Sequence, residues 1–527
     1  MTVDAGAYPE SPPRQHFNLW TWVRAQVDKA SYRPQAAPGI VVRRLAEDSV
    51  TYYVLKNPRL GTYLRLSEQD YLLWCLMDGS RTVKDLVVAY FERYKVLAIG
   101  RVTALVDELR AASFLADKPV GMYRQAAEQL AVRDWSHRWQ QVARSFLQRE
   151  FTVDHVDRYV TLLYRLGGRV FFFLPVLIPL TLMALAGLAA FVILLGRKTY
   201  PILAPDDASV SGYVAGLLTL FILNLAMVFI HEMAHALTTK HYGREVRRGG
   251  LMIYYGMPAF FVDTVDVWLE PRRRRMAVSW AGPHSELIVA GLCSLLALGI
   301  ADPASLIGGL LFKAAFLAYF SVFLNLNPLL ELDGYYILSD WLGIPMLRRR
   351  SFAFIREELP AKLVALLPPE ARALLPVAPA AKAGQGTAQP LTFTREEIVF
   401  TLFGGLAALY TVYALAFALY FWQTRIWNLL VDLWNKDPAL LFKPLVALIV
   451  TLVVVPAGLA LGATLWNAGR RLADWLERRR FFERESNMAL LAAGALVVIL
   501  LAPLFAGGSS RGPALIVGSI LLAGLAV

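Results

Sequence analysis

The chain has 527 residues, 57% hydrophobic and only 18% charged, with a mean hydropathy of +0.46. A soluble protein of this length is not so apolar, so composition predicts a polytopic α-helical membrane protein and excludes an ordinary soluble enzyme. The net charge of +12 comes without interleaved stacking aromatics, which directs it to cytoplasmic loops and lipid headgroups and leaves no nucleic-acid partner.

Residues 1–38 are Pro-rich in their first half and are expected to form a flexible lead-in. The opening MTVDAGAYPESPPRQ lacks the charged start and apolar core of a signal peptide, so the N-terminus is expected in the cytosol. Residues 39–118 predict a small α+β domain. GIVVRRL, VTYYVLKN and TYLRLS are rich in β-branched and aromatic residues and predict three strands. Three helices follow, the first capped by Ser67, the second by Thr82, the third carrying Val102, Leu105, Val106 and Leu109 on one face. This order resembles the PqqD-like domain, a winged-helix module that recognises peptide leaders in ribosomal peptide maturation. The resemblance implies a winged-helix-like fold and a leader peptide added as a strand to residues 40–66.

Residues 119–168, with text such as RDWSHRWQQVARSFLQRE, predict amphipathic helices on the membrane surface. About eight spans follow, at 169–195, 211–236, 277–300, 305–329, 397–422, 443–466, 487–506 and from about 513. Basic clusters mark every second loop: Lys240 to Arg248, Arg272 to Arg275, Arg348 to Arg350 and Arg470 to Arg480. These loops and the N-terminus are therefore assigned to the cytoplasm. Residues 346–396 are read as a cytoplasmic linker with a disordered stretch, AKAGQGTAQP, that divides a membrane core (169–345) from the C-terminal spans (397–527). The two cysteines, Cys75 and Cys293, form no Cys-x-x-Cys motif.

The second span ends NLAMVFIHEMAHALTTKHYG. A His-Glu-x-x-His run on a helix puts His231 and His235 one turn apart on one face, a spacing that binds zinc, with Glu232 placed as general base. Ionisable groups in an apolar helix mark function by default. A catalytic zinc needs a third ligand, and FLNLNPLLELDGYYIL offers two acids, Glu331 and Asp333. The run from Asn325 through Pro328 to Leu332-Asp333-Gly334 resembles the Asn-x-x-Pro-x-x-x-Leu-Asp-Gly motif of the site-2 protease family, whose other motif is the His-Glu-x-x-His seen here. The resemblance covers about 211–340. It implies zinc ligands His231, His235 and Asp333, a catalytic Glu232, and Asn325 as a substrate-positioning residue. Gly334-Tyr335 replaces the Gly-Gly common in that family and, with the N-terminal domain, is closer to the bacterial subgroup named for peptide zinc metalloproteases. No PDZ-like insert follows the fourth span.

Between the motifs, GGLMIYYGMPAFFVDTVDVWLEP predicts a membrane-associated hairpin whose edge could align an extended substrate. Asp263 and Asp266 either touch substrate or are solvated loop acids. His284 and Glu286 either orient a ligand imidazole or satisfy each other at the interface. His16, His137, His155 and His241 lie in polar text and read as surface residues. The functional expectation is one zinc per chain and hydrolysis of a membrane-associated or ribosomally made peptide near the cytoplasmic face of a bacterial inner membrane. The partners are then the substrate, the lipid bilayer and an export complex. The alternatives are a non-catalytic peptide-binding or export subunit and a regulatory protease of a membrane-tethered transcription regulator.

Overall fold

The computed structural model describes residues 30–47, 50–116, 148–153, 155–198, 200–202, 210–254, 257–300, 305–366, 393–421 and 424. All of these except Met257 belong to one compact unit. The N-terminal part holds an antiparallel sheet in the order β1-β2-β3, formed by β1 (Val41–Glu47), β2 (Val50–Asn57) and β3 (Thr62–Ser67). Three helices, α1 (Glu68–Cys75), α2 (Val83–Tyr94) and α3 (Ile99–Ala111), cover it. Ser67 accepts from the Asp70 amide, and Thr82 and Asp85 form a reciprocal capping box, so both helices start at the predicted caps. Val102, Leu105, Val106 and Leu109 point α3 into a core with Leu55, Leu66, Leu73 and Leu86. Each fully buried Leu stabilises such a core by about 1.5–3 kcal/mol.

A second sheet was only partly foreseen. The hairpin appears as β5 (Gly249–Tyr254) and β6 (Met257–Val262), but a third strand, β4 (Gln148–Thr152), pairs antiparallel with β5. Amphipathic helix was expected at 148–152. The backbone groups of β5 offered a better partner than solvent, and a mostly polar segment suits a sheet edge. The amphipathic α4 (Val156–Leu166) follows and buries Val156 and Val160 against Ala236 and Val246. Residues 119–147 and 154 lie outside the described residues.

Among the described residues, five helices are long and apolar enough to cross a membrane. They lie in α5 (Leu174–Arg197), α6 (Val210–His241), α7 (Arg272–Gly299), α8 (Leu306–Asn325) and α12 (Arg395–Phe421). Leu182, Leu185 and Val192 on α5 are each about 60% exposed, which a water-facing helix would not sustain and lipid accommodates. α7 is central and packs against α5, α6, α8 and the short α9 (Asp333–Leu342). The predicted fourth span stops earlier than its apolar text, at Asn325, because Pro328 cannot continue a helix. Part of the supposed linker is helical. α10 (Leu347–Glu357) and α11 (Leu359–Leu366) follow α9, and Leu347 and Phe354 pack with Phe400 and Phe403 of α12. The AKAGQGTAQP stretch and the three spans expected after 443 lie outside the described residues.

Candidate metal centre

The site is built from three elements around α7. The apolar α6 carries His231 and His235 one turn apart, both buried. After α8 the chain turns sharply, with Asn327 Oδ1 accepting from the Leu329 amide, and α9 then opens on Asp333. A Cβ on Gly334 would lie 2.3 Å from the Leu326 carbonyl oxygen, so only glycine lets α9 start this close to the end of α8. That turn carries Asp333 to the imidazoles. Its Oδ2 is 3.0 Å from His231 Nε2 and its Oδ1 is 3.4 Å from His235 Nε2, while the two Nε2 atoms are 3.0 Å apart. The competing acid, Glu331, is more than half exposed and lies 3.9 Å from Arg348.

His235 Nδ1 lies 2.7 Å from the Val278 carbonyl of α7, an acceptor that fixes the ring proton on Nδ1 and leaves the Nε2 lone pair free. His231 Nδ1 likewise faces a carboxylate, Glu286 Oε2, at 3.2 Å. Two imidazole lone pairs and a carboxylate oxygen thus converge within 4.8 Å of one another, a donor set that repels itself unless a cation sits between. The backbone of α7 closes the space from behind. A Cβ on Gly282 would lie 2.5 Å from both Nε2 atoms, so any other residue there would fill the point where the donors meet. The group fits a metal ion.

Glu232, beside the ligands, accepts a hydrogen bond at 3.0 Å from the Val262 amide at the end of β6. It lines a cavity of roughly 670 Å³ with His231, His235, Asp333 and Asn325. The same cavity has a wall from the N-terminal sheet, where Tyr52, Val54 and Arg65 face it.

The remaining predicted residues separate. Asp263 lines the cavity, accepting from the Val265 amide and facing Arg248 at 3.4 Å. Asp266 is only 4% exposed, so it is neither a solvated loop acid nor a cavity residue. It accepts from Lys56 Nζ at 2.6 Å, Tyr63 Oη at 2.8 Å and the Glu245 amide at 3.0 Å. Burial pushes its carboxyl up, but these three hydrogen bonds outweigh burial and hold it below the usual carboxylate range. Glu270, also buried, pairs with Arg43, Arg244 and Arg274. Together with Leu45, Tyr52 and Val54 packed on Leu269, these contacts dock the N-terminal sheet onto 265–270. Nothing in the sequence pattern announced that contact. His284 leaves the site and pairs with Thr181 at 3.0 Å, whereas Glu286 stays. Comparison of the chain with family models, with curated proteins and with solved structures finds no match.

Proposed function

We propose that this chain is an intramembrane zinc metalloprotease of the site-2 protease kind, about eight spans long, that hydrolyses a membrane-associated or ribosomally made peptide near the cytoplasmic membrane face. The observation that carries the reading is the convergence of His231, His235 and Asp333 from two separate elements, with Glu232 in the same cavity. A structural zinc site has four protein ligands, whereas three ligands and an adjacent carboxylate suit catalysis.

His231, His235 and Asp333 hold the ion. When bound, zinc supplies Lewis acidity toward a carbonyl and lowers the pKa of water toward ~7. Glu232, its position fixed by the Val262 amide, takes a proton from the water that adds to the scissile carbonyl and returns it to the amine as the C–N bond breaks. The outer edge of β6 beside Glu232 favours an extended substrate over a helical one, since a helix hides its carbonyls. Asn325 positions the substrate from the cavity wall. The N-terminal domain acts as a PqqD-like, winged-helix peptide reader. Its docking beside the cavity supports delivery of a peptide to the metal. Glu232→Gln in the purified full-length chain, with a membrane-embedded peptide library as substrate, tests the assignment. Cleavage abolished with zinc retained is the expected result; equal cleavage by the variant refutes it, and no cleavage by the wild-type chain moves the reading to a peptide-binding export subunit.

A further inference from the structure

Glu286 lies in the middle of α7, a membrane-crossing helix, and is 1% exposed. A carboxylate in that place is costly unless its oxygens are used. One is satisfied: Oε1 accepts from Ser321 Oγ of α8 at 2.7 Å. Ser321 Oγ in turn accepts from Asn325 Nδ2 at 3.1 Å, one helical turn further along α8. The other oxygen, Oε2, faces His231 Nδ1 at 3.2 Å. The alignment falls short of a hydrogen bond, and neither atom has another partner. Two hydrogen bonds, Asn325 to Ser321 and Ser321 to Glu286, therefore lead from the cavity wall to a carboxylate that faces the far side of His231, a candidate ligand, at 3.2 Å.

The two imidazoles are held differently. His235 Nδ1 has a neutral carbonyl, Val278 O, while His231 Nδ1 has a carboxylate. A carboxylate acceptor orients the ring, keeps its proton on Nδ1 and makes Nε2 the stronger donor to a cation. On the metal-site reading above, we propose that Glu286 is a positioning residue that sets the metal affinity of His231, with Ser321 and Asn325 holding the carboxylate in place. It touches neither metal nor substrate.

The test uses the full-length chain in detergent and reads metal rather than activity. Zn²⁺ affinity is measured by competition with a chromophoric chelator, and the visible spectrum is recorded with Co²⁺ in its place. Glu286→Gln keeps the shape and removes the charge. It is expected to weaken Zn²⁺ binding roughly 10–100-fold and to alter the Co²⁺ band. Its metal-free form is expected to unfold at the wild-type temperature or above, since a buried charge is gone. Glu286→Asp should recover part of the affinity, and Ser321→Ala should lose less than Glu286→Gln. Wild-type affinity in Glu286→Gln overturns the inference while leaving the metal site intact. A weakened metal-free fold with proportionate metal loss also overturns it, by assigning Glu286 a packing role. A wild-type chain that binds neither ion overturns the metal reading itself, and this inference with it.

Discussion

Two buried polar clusters, one where the N-terminal sheet docks on 265–270 and one at the metal centre, are built in opposite ways. At 263–270, each buried acid is surrounded by hydrogen-bond donors. Asp266 has Lys56, Tyr63 and an amide, and Glu270 has three arginines. At the metal centre, lone pairs face lone pairs, and His231 Nδ1 and Glu286 Oε2 lack aligned partners. A satisfied cluster is complete as it stands and works as a joint between the N-terminal sheet and the membrane helices. An unsatisfied one is incomplete, because its polar groups are arranged for something the chain itself does not supply. The contrast is a general way to separate structural ionic networks from functional ones where both are buried.

The contrast breaks most visibly at Glu232. Glu232→Gln should reduce peptide hydrolysis by roughly 10²–10⁴-fold, the usual contribution of a general base, with zinc content unchanged by elemental analysis. At the joint the expectation is reversed. Lys56→Met strands the buried Asp266 and should destabilise the docked N-terminal sheet by about 3 kcal/mol, read as lost hydrogen-exchange protection in β2 and β3, while zinc stays bound. If zinc is lost as well, the two clusters are not independent.

The joint also carries a pH signature. The folded pKa of Asp266 lies below its ordinary value of 3.8, so its contribution is present above 3.8 and disappears as pH falls through the lowered value. Protection of β2 and β3 should therefore hold at about pH 5 and fall in more acid solution, and Asp266→Asn should lack that step. The smallest effect is expected at Arg350 and Glu396, a pair about half exposed on both sides. Arg350→Ala should change stability by less than about 0.5 kcal/mol in chemical denaturation.

Much of this was legible in the sequence where the signal is local. The three N-terminal strands and the caps Ser67 and Thr82 depend on neighbouring residues, and they fell where propensity put them. His231 and His235 were legible for the same reason, since one helix sets their spacing. Asp333 and Glu331 could not be separated by residue type alone. The turn after Pro328 and the tight contact at Gly334 decide between them, and both are tertiary facts. Glu286 and His284 were equally ambiguous, although a signal was present. Glu286 stands four residues after Gly282, on the α7 face that meets the ligands, whereas His284 stands two after it and turns away. β4 and the joint at Asp266 and Glu270 were illegible, because both arise from partners roughly 100 and 200 residues distant in the chain.

If His231, His235 and Asp333 form one metal centre, elemental analysis of the detergent-purified chain should find about one zinc per wild-type chain, lost in His235→Ala and in Asp333→Asn and retained in Glu331→Gln. Zinc retained in Asp333→Asn, or a wild-type chain that takes up no zinc even after reconstitution, would contradict it.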